Sequence, residues 1–188
     1  MNTNELYAKL GYKGFIRSYI MQSEVGKIVL YLRYLSWEEH LKNQKGLIKK
    51  ICYFFIKRAR NKLGVLLGFH IPCGVFQKGL LIYHSGSIVV NANARIGRNC
   101  ILHGENCIGN NGITESAPIL GDFCDIGVGA KIIGNVKLGN NIRIGANAVV
   151  TKSFEGDNLI LAGVPAKIIT RKEPSNSDSF YKERESIK

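Results

Sequence analysis

Residues 119–150 read ILGDFCDIGVGAKIIGNVKLGNNIRIGANAVV, and an aliphatic residue recurs in this stretch at every sixth position. The same step of six extends back to Val90, with one gap at Thr114. The aliphatic positions of the series are Val90, Ile96, Leu102, Ile108, Leu120, Ile126, Ile132, Leu138, Ile144 and Val150. A helix cannot carry this pattern, because 3.6 residues per turn would rotate the apolar position around the axis. Short strands and tight turns can carry it, since three units close a triangular coil of about 18 residues and stacked coils pair their strands in parallel.

The repeat predicts a mainly β fold, a parallel β-helix over residues 69–170, whose core is the aliphatic ladder. The gap in the repeat falls within residues 110–118, NNGITESAP, and it has two interpretations. It is either an ordinary hexapeptide unit or a protruding loop. Thr114 is a poor inward-facing residue and Pro118 disfavours a strand, so we predict a loop. Loops on a rigid solenoid commonly line functional sites.

Residues 1–68 predict an α-helical appendage, because apolar residues recur there at spacings of three and four. One helix is predicted from Leu47 to Leu67, with apolar residues such as Ile48 and Phe55 on one face and lysines toward the other. The region holds 13 Lys and Arg against 4 Asp and Glu, most of the net charge of +12. We predict that it caps the open end of the solenoid, with contact to a membrane surface or an acidic acceptor as a second role. Residues 171–188 are predicted to be a polar tail.

Composition narrows the classes of function. No stretch approaches the roughly 20 apolar residues that a membrane span needs, and the first ten residues lack the pattern of a signal peptide. These features predict a cytoplasmic protein, with the inner face of the membrane as an option. The five cysteines form no CxxC pair and indicate free thiols rather than a metal site or disulfides. Basic charge without interleaved aromatic residues argues against nucleic acid as a partner.

Three segments carry a resemblance to a known family: GSIVVNANARIG at 86–97, residues 107–152, and AGVPAKII at 162–169. Over about residues 68–170 the sequence resembles the serine-acetyltransferase-like branch of the hexapeptide-repeat acyltransferases, and within it the short O-acetyltransferases of capsule and polysaccharide pathways. The resemblance implies a left-handed winding, a homotrimer, and acetyl-CoA in the groove between neighbouring subunits. It also implies a histidine base near the thioester and no metal.

The resemblance places the catalytic base at His84. Because His84 lies six residues before Val90, strict continuation of the repeat would bury it, so residues 85–87 are expected to break the regular winding. A general base also needs a partner that fixes its tautomer, and Glu105 is a candidate for that carboxylate. His103 follows about one coil later and is predicted to contact acceptor or cofactor, with a structural polar turn as the alternative.

The family pattern also implies contacts with acetyl-CoA. Small turn residues would approach the pantetheine arm through backbone groups. A Thr-Lys pair resembles the pair that the family carries near the nucleotide end of the cofactor. Two later cations are placed to bind its phosphates. A solvated surface charge is the alternative for each lysine. The residues assigned in this way are Gly129, Ala130, Ala146, Thr151, Lys152, Lys167 and Arg171.

The sequence departs from serine acetyltransferases where the resemblance places amino-acid specificity. Tyr83, His70 and Ala117 stand where those enzymes usually carry two carboxylates and a histidine. An amino acid needs countercharges in its site, so the predicted acceptor is a sugar hydroxyl of surface polysaccharide or its precursor. One alternative is a serine O-acetyltransferase of cysteine biosynthesis. Another is a non-catalytic or zinc-binding hexapeptide trimer, which would need three histidine ligands.

Overall fold

The computed structural model describes residues 13–14, 16–18 and 20–171, the last by its backbone alone. Helix α1 (Glu24–Leu41) begins after Ser23, whose hydroxyl accepts a hydrogen bond from the Gly26 N–H at 3.2 Å. Helix α2 (Leu47–Leu67) ends at Gly68, which has a φ of +77°, a conformation that suits glycine. The predicted second helix is confirmed, while residues 1–12 of the predicted appendage and residues 172–188 of the predicted tail lie outside the described residues.

Short strands occupy the rest of the described chain. They are β1 (Phe69–His70), β2 (Leu81–Ile82), β3 (Ile88–Val90), β4 (Arg95–Ile96), β5 (Ile101–Leu102), β6 (Cys107–Gly109), β7 (Ile119–Leu120), β8 (Asp125–Ile126), β9 (Lys131–Ile133), β10 (Lys137–Leu138), β11 (Arg143–Ile144), β12 (Val149–Val150), β13 (Leu159–Ala162) and β14 (Lys167–Arg171).

The strands form the three faces of a prism. Sheet A has the order β1-β3-β6-β9-β12, sheet B the order β4-β7-β10, and sheet C the order β2-β5-β8-β11-β13-β14. The pairs within these sheets are parallel except β13–β14, which is antiparallel. From β1 to β13 consecutive strands lie in different sheets, so the chain winds around the prism and pairs each strand with the strand one coil later. Only the last strand, β14, folds back on β13 in the same sheet. This is the parallel β-helix that the repeat predicts.

The aliphatic ladder fills the interior of the prism. All ten residues of the repeat, from Val90 to Val150, are buried. An ordinary coil is 18 residues long, since Ile126 pairs with Ile144. Each inward side chain therefore stacks on its counterpart in the next coil, and burial of these side chains is the main stabilising contribution.

Two insertions lengthen the coils in which they lie. Ile82 pairs with Leu102, 20 residues later, because the turn at residues 83–87 holds two more residues than the repeat provides. Ile108 pairs with Ile132, 24 residues later, because one unit of six residues is displaced from the prism. Residues 110–118 contain no strand, and residues 111–116 are exposed.

The helices attach to the first coil through the C-terminal half of α2. The buried Arg60 guanidinium pairs with the Glu38 carboxylate of α1 and donates to the carbonyl of Ile71 at 2.9 Å. Gly64 lies so close to the first coil that a Cβ would come within 2.9 Å of the Phe69 carbonyl oxygen. These contacts fix α1, α2 and β1 together. No helix of the described part of the chain is long and apolar enough to cross a membrane.

The predicted way in which α2 would cap the solenoid needs a correction. Its apolar residues Ile48 and Phe55 are exposed, and the buried residues of the helix are Arg60, Gly64 and Leu67. The small Gly64 permits close approach to the first coil, so this side of the helix packs inward. The apolar face that the sequence suggested as the packing surface points away from the prism.

Candidate functional site

Most of the predicted site residues lie along one edge of the prism. We call this edge the C–A corner, because it holds the turns that lead from sheet C to sheet A. These turns are residues 83–87, 103–106, 127–130 and 145–148. The turn at residues 163–166, between β13 and β14, continues the same edge through its hydrogen bonds with Val149. The turns stack in register, since the N–H of Gly129 donates to the carbonyl of Gly104 at 2.9 Å and that of Asn147 to the carbonyl of Val128 at 2.9 Å.

His84 stands exposed in the long first turn of the C–A corner. Its side chain is 71% exposed, so the two additional residues of the turn carry it out of the inward register. Nδ1 of His84 lies 4.0 Å from Oε1 of Glu24, in the first turn of α1. The predicted break in the winding is confirmed by this exposure. The carboxylate beside the His84 imidazole comes from the helical appendage.

Ser85 holds Glu24 in place. The Ser85 N–H and hydroxyl both donate to Oε1 of Glu24, at 2.5 and 2.8 Å. These two hydrogen bonds, first that of the backbone and then that of the hydroxyl, keep the pKa of Glu24 below its ordinary value of 4.5, against a smaller opposing effect of burial. Glu24 is therefore an anion at neutral pH beside the imidazole.

His103 lies one coil further along the corner and has a closer partner. Its Nε2 is 2.7 Å from Oδ1 of Asp125, and Oδ2 of Asp125 is 3.4 Å from Nε of Arg143. The ring of Tyr83 packs against the imidazole, with centroids 4.9 Å apart. The structure thus places an oriented histidine next to the turn that carries His84, at the junction of sheet C with the corner.

Glu105 lies in the same turn as His103, and its side chain packs over the His84 turn. A Cβ on Gly86 would come within 3.4 Å of Cγ of Glu105. The Glu105 carbonyl accepts a hydrogen bond from Nζ of Lys131 at 2.5 Å. The structure brings Glu105 near the His84 turn, but the carboxylate that lies 4.0 Å from Nδ1 of His84 is that of Glu24.

The small residues predicted to face the cofactor have different environments. Ala130 is buried, and its N–H donates to the carbonyl of Gly127 at 3.2 Å, so its methyl group and N–H belong to the prism. Ala146 is exposed at the corner. A Cβ on Gly127 would lie 2.8 Å from the Ala146 nitrogen, so glycine permits the close stacking of these two turns. Gly129, with a φ of +73°, would place a Cβ 2.1 Å from Oδ1 of Asn147.

The last turn of the corner is the AGVPA segment. The Val149 N–H donates to the Gly163 carbonyl at 3.0 Å, and the Ala166 N–H donates to the Val149 carbonyl at 2.8 Å. Lys167 follows this turn as the first residue of β14, opposite Ala162, and is exposed. Arg171 ends the same strand, and its side chain lies outside the described residues.

Two predicted cofactor residues lie on another edge. Thr151 and Lys152 follow β12 and are exposed at the A–B corner, which also holds residues 110–118. Sheet A separates this corner from the C–A corner within one chain. The structure therefore does not bring Lys152 together with His84 in a single subunit.

The sequence reasoning missed Glu24 and Asp125. Asp125 could have been found, since recognising the displaced unit of six residues puts it in register with Ile101, two residues before His103. Glu24 gave only a helix-start signal, because Ser23 precedes it. Among the described residues, no cluster of three His, Cys, Asp or Glu side chains is placed to hold a metal ion.

Comparison with known proteins gives consistent matches. The chain is 32% identical over 123 residues to the serine acetyltransferase of Helicobacter pylori strain J99, covering 63% of this chain and 71% of that protein. It spans about half the length of three other bacterial serine acetyltransferases, at 30–33% identity. No protein-family model matches the chain.

Solved structures share the fold. A serine O-acetyltransferase from Brucella melitensis with the bacterial transferase hexapeptide repeat superimposes with a TM-score of 0.68 at 24% identity, covering 92% of this chain and 68% of that chain. A serine acetyltransferase in complex with CoA gives a TM-score of 0.57 at 25% identity, covering 77% of this chain and 56% of that chain. The predicted mainly β fold with a left-handed β-helix and N-terminal helices is confirmed.

Proposed function

The chain belongs to the serine acetyltransferase family, and on that basis we propose that it is an O-acetyltransferase that moves the acetyl group of acetyl-CoA to a hydroxyl. The observation that carries the proposal is the C–A corner. There the exposed His84 lies beside the Glu24 carboxylate, and small residues occupy the turns that follow along the same edge. A relative of the same fold has been solved in complex with CoA. Acetyl-CoA is thus the proposed donor.

The C–A corner fits an extended thioester. The exposed Ala146 offers backbone groups partway along the corner. The exposed Lys167 lies at the end of the corner away from His84, where its ammonium group can bind phosphate oxygens. The His84 turn is at the opposite end of the edge. We assign the pantetheine arm to the corner, with the thioester toward His84. Gly129 and Ala130 support this edge through their places in the stacked turns.

The proposed chemistry is direct attack on the thioester. Nδ1 of His84 faces Glu24, which leaves Nε2 to accept the proton of the acceptor hydroxyl as its oxygen bonds to the acetyl carbonyl carbon. The tetrahedral oxyanion is stabilised by backbone N–H groups of the corner. Its collapse breaks the carbon–sulfur bond, and the imidazolium returns the proton to the leaving thiolate. The products are the acetyl ester and the free thiol of CoA.

Glu24 is the proposed positioning carboxylate, in place of Glu105. The present distance of 4.0 Å is longer than a hydrogen bond, and catalytic hydrogen bonds often tighten when substrate is bound. The anion opposite Nδ1 favours the tautomer with its proton on that nitrogen. His103, held by Asp125, is the proposed acceptor contact beside the base.

L-serine is the acceptor that the relatives favour, over the sugar hydroxyl predicted from the sequence. One observation keeps a sugar of surface polysaccharide as a second candidate: the Tyr83 and His103 rings form an aromatic surface next to the His84 turn, of a kind that packs against sugar rings. The resemblance to short capsule transferases and the cytoplasmic location stay predictions.

We propose a homotrimer, because the cofactor residues predicted from the family pattern lie on two edges of one prism. In a trimer the C–A corner of one subunit can face the A–B corner of the next, which brings Thr151 and Lys152 toward the proposed pantetheine site. The loop at residues 110–118 then borders the same groove.

The experiment that tests the function is release of free thiol from acetyl-CoA by the full-length protein. L-serine, a panel of free sugars and a panel of nucleotide sugars are offered in parallel. We expect release with L-serine and esterification of its hydroxyl, measured by mass spectrometry. Release with a sugar alone would replace serine by the second candidate, and the absence of release with all acceptors would contradict the proposed activity.

A further inference from the structure

The outward face of α2 carries large apolar side chains that no other described residue covers. Six of them are more than 60% exposed. They are Leu47, Ile48, Phe54, Phe55, Val65 and Leu66. The helical repeat places most of these positions on one side, opposite the buried Arg60 and Leu67. Several large apolar side chains exposed on one face of a helix commonly mark an interaction site.

The charge of α2 has a single sign. The helix contains six Lys and Arg residues and no Asp or Glu. Arg60 is buried against Glu38 and is neutralised by it. Of the other five cations, all exposed, Lys50, Lys57, Arg58 and Lys62 lie on the outward face or its margins, and Lys49 lies on the side of Leu67. The face therefore presents apolar rings and aliphatic groups together with uncompensated positive charge.

An apolar groove borders this face. It runs between α1 and α2 and is lined by Leu30, Tyr34, Leu63 and Val65, with Lys62 beside them. A groove of this composition can receive a hydrocarbon chain while the lysine ammonium meets an anionic headgroup.

From these three observations we propose that the outward face of α2 docks on an anionic phospholipid surface. The apolar side chains enter the interface between headgroups and acyl chains, and the cations meet phosphate groups. A second copy of the same face is a poor occupant, because a symmetric contact would set four cations against four cations. Nucleic acid would leave the aliphatic residues without a partner.

Docking in this way would hold the candidate site close to the lipid. Gly68, which ends α2, lies so near the turn after His84 that a Cβ would come within 2.7 Å of the Gly86 carbonyl oxygen. The membrane-facing helix and the turn of the proposed base are thus in direct contact. The lipid proposal does not depend on the proposed acetyl transfer, since it rests on the surface of α2 alone.

Flotation of the full-length protein with lipid vesicles tests the proposal. One set of vesicles is phosphatidylcholine alone, and the other holds equal parts of phosphatidylcholine and phosphatidylglycerol. We expect the protein to float with the anionic vesicles, to stay behind with the neutral ones, and to bind more weakly as the salt concentration rises. Equal flotation with both vesicles, or none with either, would overturn the proposal.

Paired variants separate the apolar and the charged parts of the surface. The double variant Phe54→Ser and Phe55→Ser is expected to weaken vesicle binding at least about tenfold, because two rings no longer leave water. Ile113→Ser, at an exposed position of the loop at residues 110–118, is its control and is expected to bind normally. Reversal of Lys57 and Arg58 to glutamate is expected to abolish the preference for anionic lipid.

The control for the charge reversal is Lys78→Glu with Lys137→Glu, which changes the net charge equally at exposed positions outside α2. Loss of binding in this control as well would mean that net charge, and not the face of α2, attracts the vesicles. Light scattering without lipid tests the remaining candidate partner, a second copy of this chain. A lower mass of the Phe54→Ser and Phe55→Ser variant, with no vesicle binding by the unmodified protein, would assign the face to self-association. Thiol release is measured separately, so either proposal can fail alone.

Discussion

His84 is exposed because the turn at residues 83–87 is longer than the hexapeptide repeat requires. With a turn of ordinary length, a side chain at this place would follow the inward register of Ile82 and Ile88, both of which are buried. The additional residues release it into solvent. A titratable side chain in such a position can exchange protons with a bound substrate, which an interior one cannot.

The first prediction concerns His84 itself. His84→Ala is expected to lower kcat for acetyl transfer by about 10² to 10⁴, the usual contribution of a general base, while the KM for acetyl-CoA stays nearly unchanged. Thiol release measures both constants. His40→Ala is the matched control, because His40 is exposed at the other end of α1. Near-normal turnover of His84→Ala would show that another group is the base.

The second prediction concerns the pH dependence of stability that Glu24 confers. Because its pKa is lowered in the folded chain, Glu24 stabilises the fold above its ordinary pKa of 4.5, and this stabilisation is lost as the pH falls through the lowered value. Glu24→Gln is therefore expected to lower Tm at neutral pH and to show a shallower decline in acid. Thermal unfolding at a series of pH values measures the two curves.

The control for that comparison is Glu155→Gln, at an exposed position after β12. Its curve should follow that of the unmodified protein. If the curve of Glu24→Gln instead ran parallel to the unmodified one through the acid range, the hydrogen bonds from Ser85 would not couple Glu24 to folding.

The sequence predicts residues of the interior better than contacts of the site. Leu102 and Ile126 are buried as the repeat requires, since one apolar side per unit is a local pattern. The contact of Glu24 with Ser85 joins residues 61 positions apart. It depends on where α1 packs against the first coil, and no local pattern encodes that. To predict the pairing of His103 with Asp125 from the sequence, one would have to know how many residues the displaced unit contains.

At the scale of elements, the C–A corner is held by close contacts between successive turns. The buried Asn106 side chain accepts a hydrogen bond from the Gly104 N–H at 3.1 Å and donates to the Gly127 carbonyl at 2.7 Å. It thus joins two turns through a polar group inside the edge. Satisfied buried amides of this kind specify one arrangement of the backbone, and the proposed thioester site depends on that arrangement.

The third prediction compares two glycines of the same backbone conformation. Gly129 and Gly112 have φ values of +73° and +75°, but a Cβ would meet Asn147 at Gly129 and open space at Gly112. Gly129→Ala is expected to cost about 1–3 kcal/mol more, with a lower Tm by about 2–4 °C for each kcal/mol. Calorimetry measures both. Equal Tm values would mean that the corner yields to the added methyl group.

The sequence predicts the boundaries of α2 but neither its orientation nor the last strand of the solenoid. The boundaries of α2 follow from its apolar spacing and from Gly68, which are local features. The orientation of α2 follows from the close approach of Gly64 to the first coil, and the sequence pattern suggested the opposite face. The antiparallel return of β14 was not predicted, because the repeat ends at Val150 and gives no register for later strands.

At the scale of the whole molecule, one prism holds the two halves of the proposed donor site on different edges. His84 and Ala146 belong to the C–A corner, whereas Thr151 and Lys152 belong to the A–B corner. Cooperation of these residues requires a neighbouring copy. A closed ring of three prisms provides the same contact at each interface and leaves neither of these two corners unpaired.

The fourth prediction is complementation between subunits. His84→Ala and Lys152→Ala are each expected to reduce activity, but protein coexpressed from both genes should recover part of it, because mixed trimers contain interfaces with both side chains intact. Thiol release measures the recovery, and light scattering should give about three times the chain mass of 20.8 kDa. Coexpression of His84→Ala with Ala146→Asp is the control. Both residues lie on the C–A corner, so this pair should recover less activity if the site is shared between two corners.

A monomer by light scattering would contradict the shared site. Recovery that is equal for the two coexpressed pairs would also contradict it, because residues on one corner cannot complement each other across an interface. These outcomes leave the fold unchanged and would require the donor to be bound within a single subunit.

The displaced unit at residues 110–118 makes the architecture modular. Its removal from the prism takes out one complete repeat, so the strands that follow return to the same faces and the ladder continues without a change of register. Segments of other lengths and compositions can be exchanged between Gly109 and Ile119 while the scaffold stays as it is. A protein engineer can therefore replace this one surface segment and keep the solenoid as a fixed scaffold.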